Sequence, residues 1–119
     1  MTARRFAVLS IIAAVLPACA AIQATPTGEK VQIITEKPAA TCNFLGEAVG
    51  SQGNFITGRY TPNENLLIGS RNDLRNKAAA LGGNVVQVIE TYRDHASLPL
   101  RDTHGTTNML VLGRVYRCD

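Results

Sequence analysis

The sequence predicts an α+β domain over residues 31–119, in which one α-helix packs on a small, mainly antiparallel sheet in the order ββαββ, stapled by one disulfide. Three observations lead to this prediction. A helix-start signal at Thr61 opens an amphipathic stretch, and runs of β-branched residues lie on both sides of that stretch. A pair of cysteines, Cys42 and Cys118, brackets nearly all of these segments.

Two short strands are expected before the helix. Residues 31–35 are rich in β-branched residues and end before Pro38, which cannot donate to a sheet. Residues 43–49 form the second strand, with Cys42 at its start. The Gly-Ser-Gln-Gly run at 50–53 then predicts a turn that leads the chain away from this strand.

The helix is predicted from a capping box at Thr61. Thr61 can accept a hydrogen bond from the amide of Glu64, Glu64 can reach back to the amide of Thr61, and Pro62 occupies the first helical position. The glycines at 82 and 83 end the helix after Leu81. The 3.6-residue period predicts that its buried face consists of Leu67, Leu74, Ala78 and Leu81.

Two further strands follow, at residues 84–92 and 109–117, and the first of them is rich in β-branched residues. The last strand is apolar on both faces in its first half, which is typical of a central strand covered by the helix on one side and by a loop or a partner on the other. Gly46 and Gly113 are expected where the sheet backbone closely approaches the small side chains at 78–80.

The first eighteen residues have the layout of an export signal. Arg4 and Arg5 precede an almost wholly apolar stretch at 6–16, which is shorter than the roughly 20 residues that a membrane-spanning helix needs. The run Leu16-Pro17-Ala18-Cys19 resembles a bacterial lipobox, which implies that residues 1–18 are removed and that Cys19 is acylated. Two or three acyl chains, at about 0.8 kcal/mol per buried methylene, would hold a small domain stably at a membrane. The alternative is cleavage after Ala20 by a general signal peptidase, which would release a soluble protein.

The residue after Cys19 is Ala20 and not Asp, which by resemblance to sorting in enteric bacteria implies the outer membrane, with the domain in the periplasm. Residues 19–30 are rich in Ala, Thr and Gly and are predicted to form a flexible tether behind the lipidated cysteine. Without Arg4 and Arg5, ten Lys and Arg remain against nine Asp and Glu. This near-neutral balance disfavours nucleic acid as a partner.

Cys42 and Cys118 form an even pair in an exported chain, and such a pair is first interpreted as a disulfide. On the chain-entropy model, closing the loop of about 77 residues between these cysteines stabilises the fold by about 4.5 kcal/mol. Two free buried thiols are the alternative. A zinc site is disfavoured because neither cysteine has a second ligand at a metal-site spacing.

Three blocks of the chain resemble a family of small proteobacterial lipoproteins of unknown function. The blocks are Cys42-Asn-Phe-Leu-Gly-Glu47, Leu74 to Val86, and Gly113-Arg-Val-Tyr-Arg-Cys118. More distantly, the run at 80–86 and the cysteine-flanked strands are similar to the sensor lipoprotein of the Rcs phosphorelay. That family carries four domain cysteines and a long linker. The resemblance implies a fold and an envelope location.

Acidic and histidine side chains cluster in the predicted loop 93–108, which contains Asp94, His95, Asp102 and His104. Such a cluster is compatible with acid–base chemistry or a metal site, but the spacing fits no established ligand motif, and a solvated polar loop is the simpler interpretation. We therefore expect no enzyme, no cofactor and no metal. The expected function is a non-catalytic envelope lipoprotein that acts as a protein-interaction or envelope-stress-related module, docking an envelope protein through a sheet edge or this loop. The alternative is a periplasmic module that binds a small ligand or a metal.

Overall fold

The computed structural model describes residues 20–53, 61, 63–95 and 106–119. In this part of the chain, a short 3₁₀ helix at Gly28–Lys30 precedes one α-helix and four strands. These elements are β1 Gln32–Ile34, β2 Asn43–Gly53, α1 Asn63–Ala80, β3 Val85–His95 and β4 Thr106–Arg117. The predicted α+β class and the ββαββ order are therefore confirmed. The predicted signal segment and Cys19 lie outside the described residues.

The four strands form one sheet in the order β1-β3-β4-β2. β4 pairs antiparallel with both β2 and β3, and the short β1 pairs parallel with β3. The sheet is thus mixed but mainly antiparallel. The prediction that the last strand is central is confirmed, because β4 has a partner strand on each side.

Helix α1 packs on one face of the sheet, above β2 and β4. The buried residues of the helix are Leu66, Gly69, Ser70, Leu74 and Ala78. Below them, a core of Val31, Val86, Val111 and Val115 completes the apolar layer between the helix and the sheet.

The prediction of the buried helix face is therefore confirmed for only two of its four residues. Leu74 and Ala78 are buried, but Leu67 is only half-buried and Leu81 is 48% exposed. The helix instead places Ser70 and Leu74 over Gly50 of β2, while Gly69 is buried against the side chain of Gln52 and the backbone of Ile22. Leu81 lies beyond the last residue of the helix and therefore does not share its buried face.

The run 50–53 continues strand β2 and forms no turn, contrary to the prediction. Gly50 lies directly beneath the helix, where a methyl group would be 2.6 Å from the backbone nitrogen of Leu74 and closer still to the carbonyl oxygen of Ser70. The glycine therefore serves close helix–sheet packing. Sequence alone does not separate this use of glycine from a turn.

The other two glycine predictions have different outcomes. Gly113 does mark a close approach, but toward Val86 and Leu74 and not toward the alanines at 78–80. Gly46 has open space around its Cα and lies at an irregularity in the β2–β4 register, with φ at +146°. It therefore accommodates a β-bulge, for which glycine is favoured.

Cys42 and Cys118 form the predicted disulfide, with their Cα atoms 4.4 Å apart. The register brings the two cysteines together, since Asn43 pairs with Arg117 and the cysteines therefore meet at the same end of β2 and β4. The side chain of Asn84 also binds this end. Its Oδ1 accepts a hydrogen bond from the backbone amide of Cys118 at 2.8 Å, and its Nδ2 donates to the carbonyl oxygen of Cys118.

Residues 20–30 do not form a free tether, contrary to the prediction. They lie against helix α1, where side-chain amides of Gln52, Asn72 and Asn76 bind their backbone. Hydrophobic periodicity cannot reveal such a segment, because hydrogen bonds and not apolar side chains attach it to the domain. Within the described residues, no helix has both the length and the apolar character needed to cross a membrane.

Candidate interaction surface

The face of the sheet opposite helix α1 carries a cluster of apolar side chains. Directly paired residues of neighbouring strands share a face, and Val111 and Val115 of β4 turn toward the helix. Their alternate neighbours Leu110 and Leu112 therefore turn away from it. We call the surface that they form with Val49, Glu90 and Tyr92 the open face.

The open face is built across three strands. Leu112 pairs with Val49 on one side and with Glu90 on the other, while Leu110 pairs with Tyr92. These five residues line a shallow depression of about 250 Å³. Apolar side chains form most of its wall, and Glu90 brings one carboxylate to it.

The apolar residues of this face remain accessible to water. Val49 is 41% exposed and Tyr92 is 59% exposed, while Leu110 and Leu112 are half-buried. Single exposed apolar residues are common on protein surfaces, but a contiguous group on a rigid sheet is typical of an interaction site.

At the end of the open face near the disulfide, two aromatic rings and a guanidinium contact one another. The ring of Phe44 meets the ring of Tyr116 edge-on, with centroids 5.6 Å apart. The guanidinium of Arg114 lies 4.7 Å from the centroid of the Phe44 ring. Arg114 and Phe44 thus contact each other at this end of the face, although both remain exposed, and Leu110 and Leu112 form the half-buried apolar centre of the face.

The outer edge of β2 is covered by side chains of helix α1. Asp73 accepts a hydrogen bond from the backbone amide of Ser51 at 2.9 Å, and Lys77 donates to the carbonyl oxygen of Val49 at 2.7 Å. Asp73 and Lys77 also form an ion pair at 2.9 Å. Together they occupy two of the backbone groups that an added strand would use, which disfavours docking of a partner along this part of the edge.

The four residues predicted to form an interaction loop are not brought together within the described residues. Asp94 is exposed near the end of β3, where it pairs with Asn108, and His95 is the last residue of that strand. The predicted loop 93–108 is therefore strand at both ends. Asp102 and His104 lie outside the described residues, so the role assigned to the loop stays a prediction.

The part of the chain that the structure describes contains no group of three or more His, Cys, Asp and Glu side chains placed to hold a metal ion. The open face was not identified as a site from the sequence, although one signal for it was present. The apolar character of both faces of the last strand indicated a second surface that needed a cover.

Residues 22–118 match the family model described as "Domain of unknown function (DUF4156)". The chain belongs to this family. The match begins at Ile22, so it includes most of the segment that lies against helix α1. The family membership confirms the prediction of a family without known function.

Curated relatives of this DUF4156 protein carry no functional name either. The "Uncharacterized protein YjeI" of Escherichia coli strain K12 is 36% identical over 91 residues, which cover 76% of this chain and 74% of the relative. Proteins of the same name from Escherichia coli O6:H1 and Shigella flexneri show the same identity and coverage.

Proposed function

We propose that this protein is a lipid-anchored component of the bacterial envelope, with residues 1–18 removed, Cys19 acylated and the domain in the periplasm. The basic start, the apolar stretch and the run that ends at Cys19 support this proposal. The disulfide between Cys42 and Cys118 adds to it, because disulfides persist in oxidising compartments such as the periplasm. Ala20, as the residue after the anchor, favours the outer membrane.

Within the envelope, we propose a non-catalytic role in which the open face binds another protein. The observation that carries this role is the contiguous apolar centre formed by Val49, Leu110 and Leu112 on a rigid sheet. Glu90 at its side favours a partner that presents apolar side chains next to a basic group. Because Asp73 and Lys77 cover the neighbouring strand edge, the face rather than this edge is the available surface.

The shape of the open face favours a protein partner over the alternative of a small ligand. Pockets for small molecules usually measure about 300 to 1,000 Å³ and enclose most of the ligand. The depression at Leu112 measures about 250 Å³ and is shallow. A flat apolar surface of this kind suits the side chains of another protein better than a metabolite.

The interaction is tested by site-specific photo-crosslinking in living cells. A benzophenone side chain at Tyr92, on the open face, is expected to give a discrete protein adduct. The same group at Leu81, which is also exposed but lies beyond helix α1, serves as the control position. We expect Leu112→Glu to remove the adduct and Leu81→Glu to leave it unchanged. An adduct that survives Leu112→Glu, or equal adducts from both positions, would contradict the proposal.

The anchor is tested separately by mass spectrometry of the mature amino-terminal peptide. We expect an acylated Cys19, and we expect Cys19→Ser to lose its association with membranes. An unmodified peptide that begins at Ala21 would show that the general signal peptidase acts instead. The envelope-stress role implied by the resemblance to the Rcs sensor stays a prediction, to be tested with an Rcs-dependent reporter after deletion of the gene.

A further inference from the structure

The residues directly after Cys19 are bound to the domain by a set of side-chain amides. The backbone amide of Ile22 donates to Oε1 of Gln52 at 2.7 Å, and Nε2 of Gln52 donates to the carbonyl oxygen of Ala20 at 3.0 Å. Nδ2 of Asn72 donates to the carbonyl oxygen of Ile22 at 2.9 Å. One side chain from β2 and one from helix α1 therefore hold residues 20–22 from two sides.

The same arrangement continues one helical turn further along. Oδ1 of Asn76 accepts a hydrogen bond from the amide of Thr25 at 2.8 Å, and Nδ2 of Asn76 donates to the carbonyl oxygen of Gln23 at 3.0 Å. Arg75 orients Asn72 through a hydrogen bond from Nη1 to Oδ1 at 2.9 Å. We call the side chains of Gln52, Asn72 and Asn76 the amide clamp.

Arg75 also connects the clamp to the sheet. Its Nε donates to the carbonyl oxygen of Val31 at 3.3 Å, next to the start of β1. Partial burial and, to a lesser extent, the charge of Arg71 lower the pKa of Arg75 below its usual value. An arginine remains charged in proteins nevertheless, so these hydrogen bonds persist across the physiological pH range.

The clamp leaves no spacer between the anchor and the domain. Consecutive Cα atoms are about 3.8 Å apart, so Cys19 lies within one residue of a backbone that is bound to Gln52. A free tether of eleven residues would instead have allowed the domain to lie as far as about 40 Å from the anchor. An acyl group on Cys19 must therefore bring the surface around Ala20 to the bilayer.

We infer that the bilayer itself is the partner of the surface formed by Ala20, Ile22 and Ile68, which we call the anchor-side surface. The inference rests on the proposed acylation of Cys19. Ile22 and Ile68 are both exposed. They belong to one surface, because Asn72, one helical turn after Ile68, donates a hydrogen bond from Nδ2 to the carbonyl oxygen of Ile22.

The chemistry of the anchor-side surface suits a membrane boundary. The free energy falls when isoleucine side chains leave water for the upper acyl region, and basic side chains are attracted to anionic headgroups. Arg71 lies three residues after Ile68 and therefore on the same side of helix α1. The helix then faces the bilayer, and the open face, on the other side of the sheet, points away from it.

The orientation is tested with single tryptophan reporters in the full acylated protein, since the chain contains no tryptophan of its own. Ile68→Trp reports on the anchor-side surface, and Ile89→Trp on strand β3 is the matched control, because both isoleucines are 50% exposed. The purified proteins are placed in phosphatidylethanolamine–phosphatidylglycerol vesicles that contain lipids brominated on their acyl chains. We expect a blue shift and loss of fluorescence for Ile68→Trp and no change for Ile89→Trp.

Two further variants separate the orientation from the anchor. A ten-residue Ala-Gly-Ser spacer inserted between Cys19 and Ala20 keeps the anchor, and should reduce quenching in Ile68→Trp to the level of Ile89→Trp. Gln52→Ala combined with Asn72→Ala and Asn76→Ala removes the whole clamp and should do the same, while Asn63→Ala, at the exposed start of helix α1, should not.

The outcomes distinguish the two proposals. If mass spectrometry shows acylated Cys19 and the protein binds vesicles, but both reporters are quenched equally, the inferred orientation is wrong and the lipoprotein assignment stands. If the spacer leaves quenching at position 68 unchanged, the orientation does not depend on the short connection between Cys19 and the clamp, and the inference is also wrong. If Cys19 carries no acyl group, the proposed anchor itself fails.

Discussion

Gly50→Ala is the substitution that most directly tests how helix α1 sits on the sheet. The added methyl group would lie 2.6 Å from both the backbone nitrogen and the Cβ of Leu74, and closer still to the carbonyl oxygen of Ser70. These are mainly backbone atoms of the helix, so no side-chain rotation can relieve the contact. The helix must move away from the sheet, and the packing of Leu74 on the core must loosen.

The expected cost is at the upper end of the range for overpacked cores, about 3 kcal/mol. For a domain of this size, each kcal/mol lowers the melting temperature by about 4 to 8 °C, so we expect a decrease of about 12 to 24 °C. Circular dichroism melts of the purified domain measure this change. Gly82→Ala is the control, because Gly82 has φ at +83° with no atom within 4 Å of its Cβ position.

The control separates steric overlap from backbone strain. A non-glycine residue in the left-handed region costs roughly 1 to 2 kcal/mol, so Gly82→Ala should be clearly milder than Gly50→Ala. If Gly50→Ala melts no lower than Gly82→Ala, the close approach of the helix to β2 does not limit the packing, and the reasoning for Gly50 is refuted.

Three further predictions concern the sheet ends and edge. Cys42→Ser combined with Cys118→Ser should lower the free energy of unfolding, measured in urea, by up to about 4.5 kcal/mol. A reductant should then cause no further loss of stability in this variant. An unchanged midpoint of the urea transition would exclude a stabilising role for the disulfide. Asp73→Ala combined with Lys77→Ala should cost at most about 1 kcal/mol but expose the β2 edge, so sedimentation should reveal more self-association than in the unaltered protein. An unchanged sedimentation profile would argue against edge protection. Asn84→Ala removes both side-chain hydrogen bonds to Cys118 and should lower the free energy of unfolding by about 1 to 3 kcal/mol in the same urea assay. A smaller decrease would show that these hydrogen bonds contribute little.

The elements of the fold could be predicted from the sequence because their signals are local. A run of β-branched residues indicates a strand by itself, and the cysteine pair predicted the disulfide. The buried helix face was less predictable. Periodicity favoured Leu67, whereas contact with Gly50 brings Ser70 to the sheet, and this choice depends on a residue of another element.

The segment after Cys19 shows a second reason why sequence reasoning fell short. Composition predicted a flexible tether, since residues 20–30 have no apolar face to bury. The structure attaches them through Gln52, Asn72 and Asn76, which are ordinary surface residues when taken singly. Their role follows only from the fold, which places an amide of β2 beside two amides of helix α1 that are one turn apart.

The candidate site was missed for a related reason. Charged and imidazole side chains such as those of Asp94 and His95 suggest chemistry, whereas the structure extends β3 through both residues. The open face consists of side chains that any sheet contains. It becomes a candidate only because the single described helix covers the opposite face, which leaves Leu110 and Leu112 half-buried on this side.

The two proposed surfaces constrain each other through the geometry of the sheet. Helix α1 lies between the sheet and residues 20–25, so the anchor-side surface and the open face are on opposite sides of the domain. A partner bound at Leu112 is therefore not obstructed by the bilayer. Because the clamp replaces a flexible linker, that partner must come close to the membrane in a defined orientation. A long spacer after Cys19 should consequently weaken the Tyr92 crosslink to a membrane-bound partner, while leaving the crosslink to a freely diffusing partner unchanged.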